Sequence, residues 1–536
     1  MSDASFLAFA IDRFEQRALA LSLVTTDGSV RRVQLHELSS LAELIITHDL
    51  PLLIRVMTKA SAPIPRTIVD VREVLKLRSQ QARDDGGEKQ WAVWRTSRPY
   101  AESSTDLRQM ESLLNAESEP PGEEELLRIT ASAATALRGL WKEMLADMEE
   151  REELQRWLEI EVPVQQIFNH RESSGIRVDR DAVQRFIRAA ENEKFSLFRK
   201  IASILGYSPL GMTDKRLASQ LVDTEEEEFH LGGDDRAIED RLNILSFRSQ
   251  SASIMLDYMK AKRDLAVLRD VAFANERVFP IFHVQGTVTS RVLASEPRIQ
   301  QLRKRYRAVL LPDEGNELTY LDYAQFEPGV LSVLARDPGL QAAYEQSDMY
   351  VALARSVFED EQGRDLAKRI FLAHLYGMSA VRIAALLNAN EAESRSAERV
   401  RTFFSRFPEV ERFREKAQEE LRQHGKVASV FGNARRRRAT GDLSAKEQRW
   451  AMNHKVQATA SLIFKRALIN IADRFGPAVI LLPMHDAVLL QFSPAHISRA
   501  EFENSCIELM KSAFTKYCPG VSPKVVSANF APVIPA

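Results

Sequence analysis

At 536 residues, with 45% hydrophobic residues and a net charge of −2, the chain exceeds one ordinary domain and reads as a soluble protein with two or more cores. The balanced charge excludes a protein that coats nucleic acid with its whole surface. No run of about 18 uncharged apolar residues exists to span a membrane, and the N-terminus MSDASFLAFAIDRFEQRA lacks a signal peptide's basic and apolar regions. Two cysteines, Cys506 and Cys518, argue against a disulfide scaffold or thiolate metal site, so the cytoplasm is the expected compartment.

Residues 1–100 alternate short apolar runs with polar turns. TTDG between two β-prone runs predicts a hairpin, and the whole predicts a small α/β domain. The acidic stretch 101–125, with its PPG break, reads as a linker. From 126 to about 270 the pattern is helical, apart from the acidic, glycine-broken segment 223–240, expected to be an exposed excursion. Strands and helices alternate beyond 280. Two basic clusters, RKRYR (303–307) and RRRR (435–438), flank the segments described next and are expected to meet phosphate.

Three segments carry carboxylates or cations in chemically useful patterns. LTYLDYAQFEPGVLSVLA (318–335) predicts a strand running into a helix, with Pro328 in its first turn, Asp322 on the strand and Glu327 just before the helix. A strand-end Asp can hold a divalent metal or act as an ordinary hydrogen-bond acceptor. VILLPMHDAVLLQF (479–492) predicts a hairpin with Met484-His485-Asp486 near its tip. An unpaired carboxylate there is costly, and a second Asp with Mg²⁺ between them would satisfy both. In GRDLAKRIFLAHLYG (363–377), Arg364, Lys368, Leu372 and Tyr376 recur every four residues along one helix face. That face could grip a triphosphate, then a sugar and base, or be a solvated basic stripe. GxxxxGK[ST] is absent, so no P-loop is expected.

Taken in order, these segments resemble the three polymerase motifs of family A DNA polymerases, the bacterial DNA polymerase I type. DYAQFEPG stands for DYSQIELR, Arg364, Lys368 and Tyr376-Gly377 for R-x3-K-x7-YG, and His485-Asp486-Ala487 for HDE. QGTVTSRVLASEPRIQQL (285–302) resembles T-x-T-G-R-L-S-S-x-x-P-N-L-Q-N at Arg291, Pro297 and Gln300. QRWAMNHKVQATASLIFKRAL (448–468) resembles E-R-x-A-x-N-x-x-x-Q-G-x-A-A-D-I-x-K-x-A at Arg449, Asn453 and Gln457. The resemblance covers roughly 150–530. Leu372, Asp348-Met349-Tyr350 and a short thumb look more like phage or mobile-element members.

The resemblance implies an α+β multidomain fold: a right hand with thumb at about 175–285, palm at about 286–345 and 425–536, and fingers at about 346–424. It implies a monomeric DNA-directed DNA polymerase acting on primer-template DNA and dNTPs. Asp322, Asp486 and the Tyr323 backbone carbonyl would hold two Mg²⁺ ions about 4 Å apart, with Mn²⁺ able to substitute. Arg364, Lys368, Leu372, Tyr376, Gln325 and Glu327 would form the dNTP site, Glu327 as the steric gate that favours deoxyribose. Arg291, Gln300, Arg449, Asn453, Gln457, His485, Arg435 and Arg436 would meet DNA. Ala487 replaces the motif glutamate, which predicts weaker metal binding rather than lost chemistry.

Residues 1–100 resemble the framework of an RNase H-like 3′–5′ exonuclease domain. Asp12 is followed two places on by Phe14, breaking D-x-E, and no asparagine precedes Asn115. An inactive exonuclease-like domain is therefore expected; the alternative is an unrelated α/β module, and either is where accessory replication proteins would dock. The competing functional readings are a single-subunit RNA polymerase, which the gate Glu327 disfavours, and a catalytically impaired nucleic-acid-binding protein in replication or defence.

Overall fold

The computed structural model describes residues 4–12, 15–41, 43–79, 93–222, 238–239, 242–243, 245–246, 249–346, 348–358, 363–375, 377–378, 383, 393–437 and 439–532. Most of the acidic segment 223–240 lies outside them, as do Phe14, Tyr376 and Arg438.

Strands β1 (Ala4–Asp12), β2 (Arg17–Thr25), β3 (Val30–Arg32), β4 (Leu44–Thr47) and β5 (Ile68–Asp70) form a mixed sheet of order β3-β2-β1-β4-β5. β1 runs antiparallel to β2 and parallel to β4. The TTDG turn joins β2 to β3 as an antiparallel hairpin. Period-two alternation splits β1 between two cores. Leu7, Phe9 and Ile11 pack on Leu50, Leu53 and Ile54 of α1 (Leu50–Lys59). Phe6, Ala8 and Ala10 face the other way, and small side chains there allow a long helix to approach closely. Past β5 runs α2 (Val71–Ser79).

The stretch 101–125 differs from the linker expectation. Ser103 caps α3 (Ser104–Leu114), and Leu107, Met110, Leu113 and Leu114 form a buried apolar stripe. The acidic composition misleads because one of its charges, Asp106, pairs with Arg128 of α4 (Glu123–Glu150). Both helices pack with β1 in one core, so the N-terminal unit continues to about residue 150.

β6 (Ile176–Val178), β7 (Arg277–Val278) and β10 (Leu310–Leu311) form one small sheet, and β8 (Ile281–His283) pairs with β9 (Leu293–Ser295). Between them, α5 (Arg180–Leu205) packs along α6 (Gln250–Ala272). β11 (Glu317–Tyr323) lies inside an antiparallel sheet of order β14-β15-β11-β16. α7 (Phe326–Leu334) follows β11 directly. Helices α8 (Met349–Phe358), α9 (Arg364–Leu375) and α10 (Glu393–Phe404) follow and share Tyr350, Phe371 and Phe403 as core. β12 (Lys426–Ser429) and β13 (Gly432–Arg436) then form a two-stranded ribbon leading to α11 (Ala445–Phe475). β14 (Ile480–Met484) and β15 (Ala487–Phe492) are buried throughout, as expected of strands covered on both faces. α12 (Arg499–Tyr517) packs along α11, and β16 (Val525–Ser527) completes the sheet. The N-terminal unit is tied to this body: the Asn169 amide donates to Ile68 O at 3.2 Å, and the Gln285 N–H to Glu73 Oε2 at 3.1 Å.

Candidate active site

β14 and β15 are closed by Met484 opposite Ala487, leaving His485 and Asp486 as the two-residue turn. His485 has φ of 60°, the positive value that primed hairpin turns require. β15 lies against β11 with Ala487 directly opposite Asp322, and the Tyr323 N–H donates to Asp486 O at 3.2 Å. The ladder therefore brings two aspartates 164 residues apart to one sheet end. Tyr323 itself is anchored by its hydroxyl to Met510 O at 2.6 Å, and its ring stacks on Phe326 with centroids 4.2 Å apart. Gln325, with φ of 53°, immediately precedes α7, and its side-chain oxygen accepts the Met349 N–H at 3.0 Å, joining this turn to α8. Helix α7 starts at Phe326, so Glu327 sits within its first turn rather than before it.

The electrostatics mark the aspartate pair. Burial, then the negative charge of Asp486, push the Asp322 carboxyl up to about 6; Lys368 and Arg307 oppose the shift. Asp486 is also raised by burial, against Arg291 and Lys368. Two carboxylates that repel each other, on a partly buried sheet end, are a hard-oxygen donor pair suited to a divalent cation. Among the described residues no group of three or more His, Cys, Asp or Glu forms a metal cluster, and position 487, directly opposite Asp322, carries a methyl group.

Cations close the other sides. Lys368 on α9 acts on both aspartates. Arg364, one turn earlier, holds Asp348 at 2.8 Å and lies over the Tyr350 ring, 5.5 Å from its centroid. Arg291 Nη2 is 2.6 Å from Glu327 Oε1 and 3.9 Å from Asp486 Oδ1. Glu327 is buried. Leu372 is partly buried against the core. Gly377, at φ of 83°, leaves room for Arg449: a Cβ there would lie 2.9 Å from its Cγ. Asn453 and Gln457 follow Arg449 at four-residue steps on α11, hence on one face. The Asn453 Oδ1 is buried without a hydrogen-bond partner among the described residues. His485 is exposed at the hairpin tip.

Two further expectations need correction. Gln300, expected at DNA, is buried: its amide donates to Pro483 O at 2.7 Å and to Val292 O, while its oxygen accepts the Ala294 N–H. It fastens the segment to β14 instead. The RKRYR cluster is mostly spent internally, with Arg303 on Asp264 and Glu193, Arg305 on Glu193, and the Arg307 Nε–H on Leu302 O at 3.1 Å; the Arg307 charge also acts on Asp322. In the RRRR cluster, Arg437 holds Glu447 at 3.0 Å, Arg435 lies 4.2 Å over the Trp450 ring, and Arg436 is exposed. Tyr350 and Asp348 are site residues that motif reading left without a role. Tyr350, its hydroxyl pushed up by burial, lies within the fields of Glu327, Asp348, Arg364 and Asp486.

The sequence profile of DNA polymerase family A matches residues 214–525. The chain is 26% identical over 393 residues to the thermostable DNA polymerase I of Thermus filiformis, covering 67% of this chain and 46% of that protein. It is 29% identical over 389 residues to the enzyme of Thermus aquaticus (64% and 44%) and 25% over 443 to that of Bacillus caldotenax (74% and 48%). The chain thus spans about half the length of the curated relatives it matches. A solved structure, the POL domain of Pol1 from M. smegmatis in complex with DNA primer-template and dNTP, superposes with a TM-score of 0.75 at 18% identity. That superposition covers 98% of this chain and 95% of the other. The fold is that of a family A polymerase domain, and with the profile match over more than half its length this chain belongs to DNA polymerase family A.

Proposed function

We propose that the chain is a template-directed DNA polymerase that adds dNTPs to a primer 3′-OH and lacks proofreading. The observation that carries this reading is the convergence of Asp322 on β11 and Asp486 in the β14–β15 turn, with Lys368 of α9 acting on both. Primer-template and dNTP, present in the M. smegmatis complex, are the ligands proposed here.

Asp322, Asp486 and the Tyr323 carbonyl would hold divalent metal, proposed as two Mg²⁺ ions or Mn²⁺ in their place. Metal held there would supply the charge that lowers the pKa of a primer 3′-OH and offsets the charge of a leaving pyrophosphate. Arg364 and Lys368, one helical turn apart, would bind the β and γ phosphates and spread the charge that builds up during transfer. Glu327, held by Arg291, would lie under the sugar and oppose a 2′-OH. Tyr376, which lies outside the described residues, is proposed to pack by the templating base, with Leu372 one turn before it. Arg449, Asn453 and Gln457 would follow the duplex backbone and minor groove without reading sequence, joined by Arg435, Arg436 and His485.

Absence of proofreading is supported within the N-terminal unit. Asp49 and Asp70, two acidic groups of that unit, are both bound by the Arg72 guanidinium, at 2.9 and 2.7 Å. Their charge is met by an internal cation rather than left open to a metal. Ala487 motivates the second reading, a catalytically impaired nucleic-acid-binding relative. Primer extension with Mg²⁺ and dNTPs separates the two. Wild type should extend, and Asp322→Ala and Asp486→Ala should not; a wild type that binds primer-template without extending it favours the second reading.

A further inference from the structure

Residues 287–291 form a tight turn in which the Ser290 N–H donates to Thr287 O at 2.9 Å and the Arg291 N–H to Thr287 Oγ1 at 3.0 Å. Ser290 has φ of 61°, a left-handed conformation that a residue with a Cβ keeps only when its surroundings over-determine it. The resembling family segment carries glycine here, so the hydroxyl of this chain is the departure to explain.

Ser290 is buried, and every polar atom of it is engaged. Its Oγ accepts from Lys465 Nζ at 2.6 Å and donates to Glu161 Oε1 at 3.1 Å, and its carbonyl accepts from Ser461 Oγ at 2.7 Å. Lys465, 1% exposed, reaches Glu161 Oε2 at 2.6 Å. Glu161 also pairs with Arg156, whose Nε holds Glu153 at 2.9 Å. The Glu153 carboxylate takes the N–H groups of Asn433 and Ala434 on β13 at 2.9 and 2.8 Å. Two cations and two anions are thus taken out of water around one serine. Such networks give little net stability, but they specify one geometry. The residue after that serine is Arg291, whose guanidinium spans Glu327 and Asp486.

We infer that Lys465 and Ser290 are positioning residues for nucleotide addition: they hold the turn that aims Arg291 at the sugar-side glutamate and the metal-side aspartate. The inference rests on the polymerase reading and adds residues that touch neither nucleotide nor metal. Glu161 anchors the lysine, and Ser461 fixes the serine carbonyl.

The test is a mutant cycle read by single-turnover dNTP incorporation. Ser290→Gly keeps the left-handed backbone and removes the hydroxyl; Lys465→Met removes the charge at similar length. Each is made alone and with Arg291→Ala. Ser290→Gly should lower the incorporation rate by about threefold to thirtyfold, the range of coupling through packed networks, and should weaken discrimination against ribonucleotides. Its thermal midpoint should stay within a few degrees of wild type. In the Arg291→Ala background the same change should cost nothing further. The inference is overturned if Ser290→Gly incorporates like wild type, or if its loss is equally large without Arg291. Should Lys465→Met fail to fold, Ser290→Gly decides alone. A wild type that extends nothing refutes the polymerase reading itself, whereas an extending wild type with purely additive mutants refutes only this inference.

Discussion

Removing the Asp322 charge should stabilise the metal-free protein at neutral pH. In the fold the carboxyl is raised from 3.8 to about 6, a displacement of about two pH units equivalent to at most about 3 kcal/mol. Water at the open sheet end screens part of it, leaving about 1–2 kcal/mol. The sign follows from linkage. Below pH 4 the group is protonated whether the chain is folded or unfolded, and it costs nothing. Between 4 and 6 the unfolded chain ionises first, so stability falls as pH rises, and above 6 the full cost persists. Asp322→Asn keeps the shape and removes the charge. Calorimetric melting in EDTA should therefore find the variant more stable than wild type at pH 7.5, with the gap closing toward pH 4. Added Mg²⁺ should then raise the wild-type midpoint more than the variant's, because ligand binding to the native state stabilises it. A difference that stays flat across this pH range, or a wild type more stable than the variant in EDTA at pH 7.5, would refute the reasoning.

Other outcomes follow from the same geometry. Ala487 lies directly opposite Asp322 in the ladder, so Ala487→Glu adds a carboxylate on the same face and should shift the Mg²⁺ or Mn²⁺ titration of primer extension to lower concentration; an unchanged titration would sink this account of position 487. Asp348 holds Arg364 while its other oxygen caps α8 through the Tyr350 N–H at 2.9 Å. Asp348→Asn keeps the cap and frees the arginine, so KM for dNTP should fall by up to about fivefold, the worth of an exposed ion pair; a rise in KM would contradict the competition. A labelled single strand incubated with wild type and Mg²⁺ should stay intact, and Mg²⁺-dependent shortening from its 3′ end would refute the proposed lack of proofreading.

The elements that hold the site were legible because their patterns are local. TYLDY followed by a proline-containing apolar run predicts a strand and a helix, and ILLPM-HD-AVLLQF predicts two buried strands around a polar turn. That Asp322 and Asp486 share one sheet end rests on register between segments 164 residues apart, which only the motif resemblance supplied. The misreadings share one cause: charge says nothing about its partner. The stretch 102–125 looked like a solvated linker because its leucines and methionine are spaced for a helix whose acids pair elsewhere. RKRYR looked like a phosphate patch because Asp264 and Glu193, its actual partners, lie 39 and 110 residues from Arg303. Gln300 matched its motif in residue type, yet the packing of β14 against it fixed a structural use. Tyr350 could have been found from its place two residues after Asp348, but its proximity to Glu327 depends on how α8 meets α7.

The most direct test of the account is single-turnover incorporation of one correct dNTP on a primed template with Mg²⁺, comparing wild type with Asp486→Ala. Wild type should incorporate, and the variant should lose about a hundredfold to a thousandfold or more, the cost of removing one preorganised charge-stabilising group, while still binding primer-template. Equal rates for the two proteins, or no incorporation by wild type under any metal condition, would contradict the assignment of Asp322 and Asp486 as the catalytic pair.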